Sequence, residues 1–149
     1  MAALTASVAL EFDGNHPPTI IQMKSSGTIT FFRGSLLHAT AGRLLKAPAA
    51  TDIFAGVAWE GSGAGKATVA NDLFFVAITG RFFFACTAFA DADYGKLFAM
   101  PAAALTDNPN DLAVSTTGSA GAAGTLDQVC STAVNGYLNI DRRAVAENL

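Results

Sequence analysis

Gly61 to Thr68 reads GSGAGKAT, a glycine-rich run ending on Lys66, and loops of this type can wrap backbone N–H groups around a phosphate. The spacing does not meet that use. A nucleotide-binding loop places Gly five residues before the Gly-Lys pair and Ser or Thr directly after the Lys, where the hydroxyl holds Mg²⁺; here Glu60 and Ala67 stand at those positions. The Asn71-Asp72 turn follows soon after, so no helix is expected to present its N-terminus to an anion. The run is expected to be a surface loop.

Two histidines are present, in unrelated settings: His16 precedes Pro17-Pro18, and His38 lies in the apolar stretch SLLHAT. A general base or metal ligand needs an acidic, Cys or second His partner, and no acidic or Cys residue is spaced to form a ligand pair with His38, which is expected to be half-buried or interfacial. Asp91 and Asp93 could supply the two carboxylates of a sugar hydrolase, but a strand-end turn is the expected role, because no aromatic or acidic platform surrounds them. Cys86 and Cys130 match no metal or redox spacing and are expected to be small buried apolar residues, with a disulfide open if their strands are neighbours. No catalytic, cofactor-binding or metal-binding residue is therefore assigned, no cofactor is expected, and the chain reads as non-enzymatic.

The residues that would position any such group are 51% hydrophobic and 14% charged, against roughly 25% charged in average soluble domains. A surface this poor in charge is expected to be covered in part by partners. The net charge is −3, and the nine Lys and Arg residues are scattered, so no basic patch for phosphate neutralisation is formed and no nucleic-acid partner is expected. Leu73 to Ala90 is the one run a hydropathy window would flag as membrane-spanning. Arg81 in its middle would cost about 2.5–3.5 kcal/mol at the bilayer centre, and its Phe, Val, Ile and Thr content favours strands, so it is assigned to buried β-structure with no membrane partner. Met1 to Leu10 lacks the positively charged start of a signal peptide, which fits synthesis in a host cytoplasm.

Short β-rich segments recur with turn signals between them. Thr19–Met23, Thr28–Phe32, Ser35–Thr40, Arg43–Lys46, Asp52–Trp59, Ala67–Ala70, Leu73–Thr79, Arg81–Thr87, Lys96–Met100, Leu112–Thr116, Gln128–Ala133 and Tyr137–Asp141 are expected strands. Ala41-Gly42 and Asn135-Gly136 mark hairpins, Gly56 a bulge or close backbone approach, and Gly80 a bend between two Phe-rich strands. Ser119 to Gly124 reads as flexible, and Ala88 to Tyr94, Pro101 to Leu105 and Arg142 to Leu149 are the helical candidates. Consecutive phenylalanines at Phe31-Phe32, Phe74-Phe75 and Phe82 to Phe84 make both faces of those strands apolar. The expected fold is all-β: a small β-barrel or β-sandwich (β-tulip-like) of short strands, with an extended N-terminal arm at 1–18 ahead of a single β domain at 19–149.

The order of GTITFFRGSLLHATAGRLLKAP, FAGVAWE, a glycine-rich loop, ITGRFFF, DADYGKLFAM and GTLDQVCSTAVNGYLNID resembles the capsid cement or head decoration proteins of tailed phages. The elements that carry the resemblance fall at Arg33 to Leu36, Gly56-Val57, Gly80 to Phe82, Asp93 to Lys96 and Asn135 to Tyr137, and they span nearly the whole chain. The resemblance implies a virion structural protein on the outer surface of the capsid, bound to the major capsid protein lattice, often as a homotrimer, without catalytic residues. Two rivals from other classes are a phage tail or fibre component and a secreted carbohydrate-binding module.

The chain departs from that family in its longer N-terminal part, with Asp13 to Pro18 ahead of the first strand. Val8, Leu10 and Phe12 alternate with Ala9 and Glu11, so an extended arm has one apolar face, and Pro17-Pro18 resists helix and central strand alike. Val8, Leu10, Phe12, Pro17 and Pro18 are accordingly the candidate residues for capsid or subunit contact. The arm is expected to become ordered on the capsid by adding to a neighbour's sheet edge or groove.

Overall fold

The computed structural model describes residues 4–46, 53–84, 91–99, 107–109, 113–114, 122–129 and 136–141. The fold is all-β and antiparallel. The strands are β1 (Ile20–Lys24), β2 (Ile29–Phe31), β3 (Leu36–Thr40), β4 (Arg43–Leu45), β5 (Ile53–Ala58), β6 (Lys66–Thr68), β7 (Leu73–Ala77), β8 (Thr79–Phe84), β9 (Leu97–Ala99), β10 (Ala113–Val114), β11 (Ala122–Val129) and β12 (Gly136–Asp141). One turn of 3₁₀ helix at Asp91–Asp93 stands within the predicted helical turn at Ala88 to Tyr94. No helix among the described residues is long and apolar enough to cross a membrane. The described part of the run flagged by hydropathy forms β7 and β8.

The first sheet has the order β1-β7-β5-β3-β4, the second β10-β9-β11-β12-β8, and β2 pairs with β6 in a separate ribbon. The first sheet curls until its two edges meet at a single parallel bridge, Ser25 to Leu44, without closing into a barrel. Ser25 is buried at that seam, where its N–H donates to the Asp72 carbonyl and its Oγ accepts from Thr68 Oγ1 at 2.8 Å. The ribbon is thereby tied to the seam.

Both faces of the first sheet are apolar because its strand residues alternate between two cores. Leu36, Phe54, Val57 and Ala77 face the second sheet and pack with Phe82, Phe84, Phe98 and Ile140. Leu37, Ala55, Ala58, Phe74 and Val76 point the other way and pack with Phe31, Leu44 and Ile78 under the ribbon. Phe31 and Phe74 meet at 4.6 Å between ring centres. Each fully buried Phe contributes about 1.5–3 kcal/mol of burial free energy, so among the described residues Phe31, Phe54, Phe74, Phe82 and Phe98 dominate the two cores.

Three glycine signals resolve into geometry. Ala41 and Gly42 both have positive φ, 49° and 77°, the combination that suits a two-residue hairpin between β3 and β4. Gly56 has φ 148°, sits where the β3–β5 register shifts, and lies against the Ala77 carbonyl and Val76 Cγ1, so it marks both a bulge and a close backbone approach. Gly80 has φ 138° but lies inside β8, not at the bend read from sequence: the chain leaves the first sheet at Ala77 and enters the second at Thr79, so the break falls at Ile78.

One difference concerns β11, which starts at Ala122 inside a segment read from sequence as flexible. It pairs on one side with β9 and on the other with β12, and two ladders of backbone hydrogen bonds override the weak strand preference of Ala and Gly. The predicted helices at 101–105 and 142–149 lie outside the described residues, as do Cys86 and Cys130.

Candidate functional site

The glycine-rich run is a tight turn leading into a strand. Gly65 N–H donates to the Ser62 carbonyl at 2.6 Å, and Lys66 then pairs with Phe31 in β6. The Lys66 ammonium faces Glu60 Oε2 at 2.9 Å and lies 5.7 Å from the centre of the Phe74 ring, so its charge is engaged by a carboxylate and a π-face. His38 is buried in β3 with its ring edge toward Phe54 at 5.8 Å. Asp93 accepts from Lys96 Nζ at 3.1 Å. Among the described residues, no group of three or more His, Cys, Asp or Glu side chains could hold a metal ion.

The N-terminal segment carries the surface features of most consequence. Glu11 to Asp13 lie along the outer edge of β8: Phe83 N–H donates to the Glu11 carbonyl at 2.9 Å, Asp13 N–H to the Arg81 carbonyl at 2.9 Å, and Phe12 bridges Phe82. The sequence sends this strand to a neighbouring subunit, whereas in the structure it finds an edge in its own chain. The cause is local, since β8 ends the second sheet and would otherwise leave its backbone groups unpaired. The alternation read from sequence holds there: Leu10 is half-buried against the inter-sheet core, and Phe12 meets Trp59 at 5.6 Å and Phe82 at 6.3 Å. Val8 lies over Gly34, whose φ of 91° and missing side chain leave room for Val8 Cγ2. Pro18 packs beside Gly80, while Pro17 is exposed.

Further upstream, Leu4 N–H donates to Asp107 Oδ1 at 3.0 Å, Ser7 N–H to the Gly63 carbonyl at 3.1 Å and Val8 N–H to the Arg33 carbonyl at 3.0 Å. Asp107 is buried; its other oxygen accepts from Ser35 Oγ at 2.6 Å and its carbonyl from Leu36 N–H at 2.8 Å. A cleft of about 200 Å³ remains between segment and body, lined by Leu4, Val8, Leu10, Phe83 and Phe84 among others.

Where the segment turns toward β1, Asp13 collects three donors. Its carboxylate accepts from Asn15 N–H at 2.9 Å and Arg81 Nη1 at 2.8 Å and faces His16 Nδ1 at 3.1 Å. Its pKa is lowered from the ordinary 3.8, first by the Asn15 backbone hydrogen bond, then by His16 and Arg81, against an opposing effect of burial.

An apolar stripe runs from this segment across the first sheet. Trp59 N–H donates to the Phe75 carbonyl at 3.1 Å, continuing the β5–β7 pairing, so Trp59, Phe75 and Leu73 share the face that bears Ala77. Phe12, Phe75 and Leu73 remain 38%, 41% and 48% exposed. Sequence singled out Phe12 and the Phe74-Phe75 pair but not Trp59 or Leu73, which read as ordinary strand residues. The only available signal was the consecutive Phe74-Phe75, which forces one ring out of the core its neighbour enters. No protein-family model, curated protein or solved structure matches the chain.

Proposed function

We propose that the protein is a non-enzymatic virion component that binds the outer face of the major capsid protein lattice, as a homotrimer, and stabilises the phage head. The observation that carries this reading is the stripe Phe12–Trp59–Phe75–Leu73, an apolar surface along one flank of a rigid all-β body. Large apolar side chains gathered on one exposed face are a mark of protein contact surfaces. The low charge content supports the same reading, as does the resemblance of the motif order to that of capsid decoration proteins.

The test is sedimentation of the purified chain with undecorated, expanded phage heads. Saturable binding at a fixed number of copies per head, lost in the Leu73→Thr/Phe75→Thr variant, is the expected result. Absence of binding to heads, or capture by isolated tails or by immobilised glycans instead, overturns it.

A further inference from the structure

We infer that the N-terminal segment is exchangeable: residues 4–13 can leave their own chain, where residues 11–13 line the β8 edge, and take the same place on a second copy, whose segment replaces them in turn. This inference stands independently of the proposed function.

The contacts that hold the segment do not depend on which copy supplies it. Two backbone hydrogen bonds to β8, Leu10 against the inter-sheet core, Phe12 against the Trp59 and Phe82 rings, and the Asp13–Arg81 ion pair at 2.8 Å form a self-contained docking set. A second copy offers the same Arg81, Phe82 and Phe83, so exchange costs none of these contacts. This equality of old and new partners is what makes strand exchange a low-cost route to oligomers.

The connection to the body has the form of a hinge. The chain turns at Asp13–His16, where His16 N–H donates to the Asp13 carbonyl at 2.9 Å, and it then runs through Pro17-Pro18 into β1. The prolines have φ already fixed near −65° and no N–H to lose, so a straightened linker sacrifices no hydrogen bond at either position. Gly14 has nothing within 4 Å of where a side chain would stand, so that side of the turn faces open space. A hinge this short, joined to an element with a complete binding surface of its own, favours exchange over closure as concentration rises. A cleft of about 200 Å³ lies between the segment and the body, lined by Leu4, Val8 and Leu10 on the segment's side.

The charge pair supplies a test that reads the copy of origin. Asp13→Arg and Arg81→Asp are made separately, each placing like charges together within one chain, and also combined in a single chain. With exchange, an Asp13→Arg segment on an Arg81→Asp edge restores a matched pair, and the reciprocal contact is native. One chain carries an affinity tag. Capture of untagged Arg81→Asp by tagged Asp13→Arg after co-expression should exceed capture of untagged Asp13→Arg by at least about tenfold, and the mixed sample should melt above either variant alone. Equal capture in both mixtures overturns the inference. If the single variants are insoluble alone, recovery of soluble protein on co-expression supports exchange; failure to recover it, while the doubly substituted chain folds, overturns it.

Discussion

Arg81 Nη1 and Asp13 Oδ2 lie 2.8 Å apart although 68 residues separate them in the chain. The pair closes the turn that brings the N-terminal segment onto β8. Asp13 has a folded pKa below its unfolded value, so the stability it contributes is fully present above the unfolded pKa of 3.8 and is lost as pH falls through the folded pKa. Melting temperature recorded from pH 6 downward should therefore drop more steeply below pH 4 in the native chain than in Asp13→Asn, roughly the value at which carboxylates begin to take up protons. Parallel curves for the two proteins would refute this.

Ser35→Ala removes the hydroxyl that donates to the buried Asp107 carboxylate. A buried oxygen left without its donor costs about 1–3 kcal/mol, so chemical denaturation should show a loss in that range. Hydrogen exchange at the Leu4 amide, bound to the other Asp107 oxygen, should quicken as well. Unaltered stability would mean that this carboxylate finds another donor.

Gly56→Ala places a methyl group against the Ala77 carbonyl and Val76 Cγ1 at a φ of 148°. Strain and overpacking together should lower stability by about 2–4 kcal/mol. Gly27→Ala, with nothing within 4 Å of the added carbon, should change it by less than about 1 kcal/mol. Thermal melts of the two variants side by side test the contrast, and equal effects would show that the bulge tolerates a side chain.

Leu73→Thr/Phe75→Thr alters two strand positions that are nearly half exposed. Thr suits a strand, so the stability change should stay within about 1–2 kcal/mol, while non-specific hydrophobic retention on a phenyl column falls. A collapse of the melting transition would place these side chains in the core instead of on a contact surface.

The sequence made the local geometry readable and the long-range assembly unreadable, for a physical reason. Turn chemistry is encoded within a few residues, so Ala41-Gly42, Gly56 and the Asn71 turn were legible, as was the apolar face of Val8, Leu10 and Phe12. Which edge that face would join was not, because β8 lies some seventy residues downstream and alternation specifies a face, not a partner. Asp107 gave no signal either; in the sequence it belongs to a polar turn, and only folding brings Ser35, 72 residues earlier, to its carboxylate. The uncovered stripe was hidden for the same reason, since burial of Phe74 depends on the β2–β6 ribbon lying over one face of the first sheet, and exposure of Phe75 on how far the second sheet extends over the other.

The passage through Ile78 also divides the chain in time. Among the described residues, the core beneath the β2–β6 ribbon comes entirely from the stretch that ends there, whereas the inter-sheet core waits for Phe82, Phe84, Phe98 and Ile140. A ribosome releasing the chain N-terminus first thus delivers a complete apolar nucleus before the second sheet exists, and that nucleus presents Leu36, Phe54, Val57 and Ala77 as a template on which the later strands condense. Until β8 emerges, residues 11–13 have no edge to pair with, so the first strand synthesised is among the last to find its place.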